Sequence, residues 1–213
     1  LEEKGLAENT LVVYFSDNAT WGKFHTYERG CNVPLIMRWP GKVKPGSVSD
    51  ALVANVDFPS TVLAAAGLPV PADLCTDGVN QLPLLVGEKE HVRETVVLEF
   101  GCTRSISDGR WKYIALRPTA EDLAFGKKVG LPAGHWGARE TEARFRGLQG
   151  WRARHEEMYP AYYDMDQLYD LKSDPEEKTN LANTPEHAGE LARMKRLLAE
   201  NLPKSGRLFG EFE

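Results

Sequence analysis

At 213 residues the chain is long enough for one large domain or two small ones, and its 42% apolar and 27% charged content is that of an ordinary globular protein, which excludes disordered and collagen-like structure. With 26 Lys and Arg against 31 Asp and Glu the net charge is −5, so the chain as a whole offers no electrostatic footprint for non-specific nucleic-acid binding. Apolar runs such as Leu11 to Phe15 and Val62 to Leu68 fall far short of the ~18 residues of a membrane helix, and three scattered cysteines (Cys31, Cys75, Cys102) make neither a disulfide framework nor a zinc knuckle.

The opening Leu1-Glu2-Glu3-Lys4-Gly5 carries neither an initiator methionine nor a basic-then-apolar leader. It reads as the interior of something longer, and the compartment is not legible from it. Leu1 to Ala7 reads as a helix end stopped near Gly5. Thr10 to Phe15 (TLVVYF) follows as β-branched, aromatic and aliphatic residues without alternation, the pattern expected of a strand buried on both faces of a parallel sheet. It stops at Ser16-Asp17-Asn18. A second apolar run, Val33 to Trp39, leaves into turns marked by Pro40-Gly41 and Pro45-Gly46.

Residues 57 to 67 predict a helix, with Asp57 capping its first turn, Pro59 in an early position and Gly67 at its end. A loop rich in Pro, Asp and Gly runs from Leu68 to about Glu90 and marks a boundary between two subdomains. Beyond it, Thr95 to Phe100 and Arg104 to Ile114 are strand-like, and the second contains the hairpin signal Asp108-Gly109. Tyr163 to Leu171 holds another short strand. The last helix starts at Thr184 and Pro185, with Ala188, Leu191, Met194, Leu198 and Leu202 on one face. The segment between Arg117 and Pro160 resembles neither half and is rich in Gly, Trp and Arg. Phe145, Leu148, Trp151, His155 and Met158 recur there at helical spacing, although Gly147 and Gly150 oppose a helix. No internal repeat is present.

Four residues could carry chemistry. Asp17 and Asn18 stand at the carboxyl end of a strand, where α/β sheets place their ligands. A carboxylate beside an amide oxygen suits a hard cation such as Ca²⁺ or Mg²⁺, although calcium takes 6–8 oxygens and an Asp-Asn turn satisfying its own backbone is the alternative. Lys23 is placed to balance charge on an anion beside such a cation, or is a solvated surface lysine. His25 is a candidate proton donor, or a loop histidine with one satisfied nitrogen.

Taken in order, these residues resemble the formylglycine-dependent sulfatases of the alkaline-phosphatase superfamily. Ser16-Asp17-Asn18, then Lys23, then Tyr27-Glu28-x-Gly30-x-x-Val33-Pro34-x-Ile36-x-Arg38-Trp39-Pro40-Gly41 is similar to the second half of that family's catalytic domain. Val56-Asp57-x-Pro59 with Ala66-Gly67 is similar to its VD-x-PT helix, with Ser60 before the threonine. Asp77-Gly78-Val79-Asn80-Gln81-Leu82-Pro83-Leu84-Leu85 is similar to its DG-x-S-LLPLL loop. Arg110-Trp111-Lys112-Tyr113 and Leu168-Tyr169-Asp170-Leu171-x-x-Asp174-Pro175-x-Glu177-x-x-Asn180-Leu181-Ala182 match its C-terminal signatures.

The resemblance implies an α/β fold: a partial sulfatase-like sheet segment followed by a small antiparallel sheet with a packed C-terminal helix. Residues 1–90 would be the C-terminal part of the catalytic domain, and 91–213 a C-terminal α+β subdomain with a variable insertion at about 117–160. It implies Asp17 and Asn18 as calcium ligands, and Lys23, with His25, at the substrate. In the family, formylglycine attacks the sulfur of an organic sulfate, and the substrate is a sulfated small molecule or sugar, with neither nucleic acid nor membrane as a partner. The family works in periplasmic, secreted and cytoplasmic settings.

The departures are specific. The C/S-x-P-S-R motif that supplies formylglycine is not found in the chain, nor are the paired aspartates that complete the metal site. Cys102-Thr103-Arg104-Ser105 lacks the proline and the order of that motif. The expectation is therefore a sulfatase C-terminal part, inactive alone, completed by an N-terminal half or assembled as a homo-oligomer. Two other readings stay open: a non-catalytic remnant or partner-binding module, and a phosphate or phosphonate ester hydrolase of the same superfamily. The insertion is either a specificity element for sulfated sugars or a solvated surface excursion.

Overall fold

The computed structural model of the chain describes residues 1–19, 25–71, 77–121, 124, 157–202 and 209–212. They divide into two compact units, one made of Leu1–Asp17 with Val33–Val96 and the other of Asn18–Asn32 with Val97–Glu213. Most of the Arg117–Pro160 segment, including the spacing from Phe145 to His155, lies outside the described residues.

In the first unit, Gly5 takes a left-handed φ of 64° and ends a single 3-10 turn at Glu2–Lys4. Strand β1 (Val12–Phe15) pairs antiparallel with β2 (Leu35–Arg38), in register Val12↔Arg38 to Phe15↔Leu35. This departs from the parallel, doubly covered strand that TLVVYF predicts. Tyr14 and Ile36, opposite each other on one face, are 64% and 60% exposed. The residue types select an extended backbone, whereas partner direction and cover depend on what packs nearby.

Helix α2 (Phe58–Ala65) has Pro59 in its first turn, as expected. It ends as a Schellman motif: Leu68 N–H donates to Leu63 C=O at 2.9 Å and Gly67 N–H to Ala64 C=O at 3.0 Å, with Gly67 at φ 71°. Phe58 meets Phe15 edge to face, ring centroids 4.8 Å apart.

Asp57 does not cap α2 with its side chain. Its fully buried carboxylate instead accepts Ala54 N–H at 2.9 Å, Val79 N–H at 2.9 Å, Gln81 Nε2 at 2.7 Å and the Arg93 guanidinium. Thr61 Oγ1 donates to Asp57 C=O and accepts Gln81 N–H at 2.9 Å. The start of α2 is thereby fastened to the loop before α3 (Leu82–Leu85).

The second unit is built on a sheet ordered β3 (Val96–Phe100), β4 (Thr103–Ser107), β5 (Trp111–Leu116) and β6 (Asp166–Asp170). β5 lies antiparallel to both β4 and β6. The predicted hairpin is present, but Gly109 and Arg110 are its central residues. Gly109 at φ 91° takes the first position, and Asp108 Oδ1 accepts Arg110 N–H at 3.0 Å and Trp111 N–H at 2.7 Å.

Alternation along β5 serves two covered faces. Tyr113 and Ala115 join Ile106 and Leu168 beneath helix α4 (Ala188–Asn201), against Met194, Leu198 and Leu202. Leu191 is half-buried on the same stripe, while Ala188 is exposed. Thr184 makes no side-chain cap; a 3-10 turn, Pro185–His187, precedes α4 instead. On the other sheet face, Ile114 and Tyr169 pack with Tyr27 and Tyr159. Among the described residues no helix is long and apolar enough to cross a membrane.

Candidate functional site

Asp17 and Asn18 form a bend one residue beyond β1. Asp17 is exposed and closes the first unit; Asn18 is half-buried and opens the second. Their side-chain oxygens have the chemistry of hard-cation donors, and neither is sealed from solvent. A calcium ion takes 6–8 oxygen donors, of which a carboxylate and an amide would be two. Lys23 lies outside the described residues.

His25 is 7% exposed, packed edge-on against Tyr27 and Tyr159 with ring centroids 5.4 and 5.1 Å away. Its Nδ1 accepts Tyr27 N–H at 3.2 Å, so the neutral ring carries its proton on Nε2. His25 is thus a buried histidine, and the Tyr27 amide sets the tautomer of its neutral ring.

Ala19, the neighbour of Asn18, and His25 are both tied to helix α1 (Glu28–Cys31). Ala19 N–H donates to Gly30 C=O at 3.3 Å, and the Cys31 thiol donates to His25 C=O at 3.4 Å. Burial raises the Cys31 pKa, with the Lys112 ammonium opposing in part, which keeps that proton on sulfur.

Three residues at the foot of α1 do not stand out by their chemistry in the sequence. Lys112 on β5 has a completely buried side chain. Its Nζ lies 2.9 Å from Glu28 Oε1 and 3.0 Å from Glu177 Oε1. Glu177 Oε2 in turn accepts Glu28 N–H at 2.6 Å. Burial works against the Lys112 charge, but the two carboxylates outweigh it and hold the lysine as an ammonium. Burial also raises the Glu177 carboxyl above the usual range, against the pull of Lys112 and the Glu28 amide.

Each partner comes from a different motif: Tyr27-Glu28, Arg110-Trp111-Lys112-Tyr113 and Asp174-Pro175-x-Glu177. The signal that could have found them is a lysine inside a strand whose neighbours, WKYIAL, are otherwise apolar. A cleft of about 390 Å³ opens beside the triad, bordered by Glu28, Arg29, Asn32, Tyr159, Glu177 and Lys178.

The other members of these motifs are structural. Arg110 pairs with Asp170 at 3.2 Å, and the Tyr113 hydroxyl donates to Asp166 Oδ1 at 2.5 Å. Asp174 accepts Lys178 N–H at 3.0 Å and Thr179 N–H at 2.8 Å, folding the turn that presents Glu177. Asn180 Oδ1 accepts Leu168 N–H and Ala182 N–H, both at 3.0 Å, and so binds that turn to β6.

Comparison with known proteins agrees with this arrangement of motifs. The model of the family described as N-sulphoglucosamine sulphohydrolase, C-terminal, matches residues 17–111. The chain is 32% identical over 192 residues to an ulvan-active sulfatase of Formosa agariphila, a match covering 85% of this chain and 35% of that protein. It is 28% identical over 221 residues to an N-acetylgalactosamine-6-O-sulfatase of Bacteroides thetaiotaomicron, covering 91% and 37%. The solved structure of BT4656 in complex with its substrate D-glucosamine-2-N,6-O-disulfate shares the fold at a TM-score of 0.66 and 24% identity, over 96% of this chain and 36% of that one. The chain therefore spans little more than a third of the length of these relatives.

Proposed function

The chain belongs to the sulfatases of the alkaline-phosphatase superfamily, whose C-terminal part it matches, and we propose that it contributes to the hydrolysis of organic sulfate esters. The observation that carries this reading is Asp17-Asn18 at the end of β1, where the family match begins. The substrate class we infer is a sulfated sugar, in keeping with the ulvan and N-acetylgalactosamine sulfates in the names of two relatives.

In this reading Asp17 and Asn18 hold part of a calcium site. When bound, the cation supplies positive charge that balances the sulfate oxygens. Lys23 pairs with a sulfate oxygen through its ammonium and so favours the charge of the transferring group. His25 is the second substrate-side residue of this reading, its ring held through Nδ1 by the Tyr27 amide. The formylglycine nucleophile comes from outside these 213 residues, which are therefore inactive by themselves.

Assaying aryl sulfate and sulfated monosaccharides with Ca²⁺ tests the proposal. Turnover is expected from the full gene product and none from the 213 residues alone. Turnover by the isolated chain would refute its dependence on an outside nucleophile, and phosphate esters cleaved in preference to sulfates would overturn the substrate class. The exposed Tyr14–Ile36 face supports a second reading, a partner-binding module without activity of its own. A stable monomer by light scattering would remove it.

A further inference from the structure

We propose that Lys112 and Glu177 are positioning residues for the candidate site: by clamping α1 to the sheet they fix the segment that carries Asn18 and His25. The inference rests on the sulfatase reading for its functional meaning, while the clamp itself is testable without it.

The geometry has three layers. The Lys112 ammonium bridges Glu28 Oε1 at 2.9 Å and Glu177 Oε1 at 3.0 Å, and Glu177 Oε2 takes the first amide of α1 at 2.6 Å. The short helix is thus held by its side chain and its backbone together. Helix α1 then holds both described flanks of the site segment, Ala19 through Gly30 C=O and His25 through the Cys31 thiol. Finally, Tyr27 fastens the same segment to β6, its hydroxyl donating to Gln167 Oε1 at 2.6 Å. A helix of four residues has little stability of its own, so its place depends on these attachments.

The choice of residues is hard to explain by stability alone. Glu177 is buried and sits at φ 56°, a left-handed conformation disfavoured for a residue with a Cβ. A glycine there would relieve the backbone but lose the carboxylate that reads both Lys112 and the Glu28 amide. A buried ion pair is also often no more stable than an apolar pair of similar volume. What the pair adds is direction: two carboxylates and an amide converge on defined atoms, and α1 can sit in one place.

The test compares the full gene product with K112M and with the charge-neutral double variant K112M/E177M, which leaves no unpaired charge at positions 112 and 177. Hydrogen exchange is read at the amides of Ala19, Glu28 and Cys31, with those of Ile106, Tyr113 and Leu168 as the core reference. In the double variant the first set is expected to exchange about tenfold faster or more, with the core set unchanged. Wild-type protection at Ala19 and Glu28 in the double variant would overturn the clamp. In parallel, kcat/KM for an aryl sulfate is expected to fall about tenfold or more, mainly through kcat, while global unfolding stays near wild type. An unchanged kcat together with loosened amides would show that the clamp does not position the site. A wild-type protein without sulfate hydrolysis refutes the functional reading instead, and the exchange comparison still decides the clamp.

Discussion

Tyr27 and Tyr159 stack face to face, their ring centroids 3.8 Å apart and their planes within 5° of parallel. The stack covers the sheet face opposite α4 and brings the Tyr27 hydroxyl to Gln167 Oε1, which also accepts the Tyr169 hydroxyl at 2.9 Å. Burial, reinforced by the neighbouring Tyr169, Tyr162 and Glu177, raises the Tyr27 pKa well above that of an ordinary phenol, so both hydroxyls remain donors.

One amide oxygen serving two buried donors makes Gln167 more sensitive than either tyrosine. Y27F removes one donor and is expected to cost about 1 kcal/mol in urea unfolding. Q167L leaves two phenol hydroxyls without their acceptor and is expected to cost roughly 2–4 kcal/mol. A Q167L cost no larger than that of Y27F would contradict the shared-acceptor arrangement.

Asp57 plays a comparable part in the first unit, gathering two amides, Gln81 and Arg93 on one buried carboxylate. D57A strands a guanidinium that is almost wholly buried, and is expected to destabilise the first unit by about 3–5 kcal/mol. Limited proteolysis should then cut within 68–95 well before the second unit's sheet. Equal sensitivity of both units would argue that they unfold as one.

Acid should weaken the second unit through Asp166. Burial raises the pKa of this carboxyl, but bonds from Arg117, Lys195 and Tyr113 outweigh it and hold it at about 2. Because the folded pKa is depressed, the stabilisation is complete above the unfolded value near 3.8 and is lost as pH falls from there through about 2. The side chain is 32% exposed, so solvent screening limits the contribution to roughly 1 kcal/mol. D166N should lower stability at pH 7 by that order and flatten the pH profile between 4 and 2. A profile as steep as wild type would assign the acid limb to another group.

How much of this was legible in the sequence follows from what each signal encodes. The period along α4 named Leu191, Met194, Leu198 and Leu202 because a helix facing one sheet repeats its apolar side every turn. Asp108-Gly109 announced the hairpin because few residues tolerate the backbone its turn requires. TLVVYF announced a strand without its partner, since apolar content reports burial propensity and not pairing direction. Asp57 looked like a cap, yet its four partners include Val79, Gln81 and Arg93, more than 20 positions away. Glu28, Lys112 and Glu177 were readable as motif letters, but their meeting depends on a fold that joins three distant stretches.

The metal and substrate roles assigned to neighbouring residues make opposite predictions, which lets one experiment separate them. Asp17 contributes a full negative charge to the proposed cation site, and ligand charge is a main determinant of calcium affinity. In the full gene product, D17N is therefore expected to raise the Ca²⁺ concentration for half-maximal sulfate hydrolysis by about tenfold or more, with KM at saturating Ca²⁺ little changed. K23A should do the reverse, raising KM for the sulfated substrate and lowering kcat while leaving the calcium requirement in place, because an ammonium beside sulfate acts on the anion directly. Chelation with EGTA should abolish turnover in both, and added Ca²⁺ should restore it. If D17N shifts KM and spares the calcium requirement, then Asp17 faces the substrate and the cation is held by other donors.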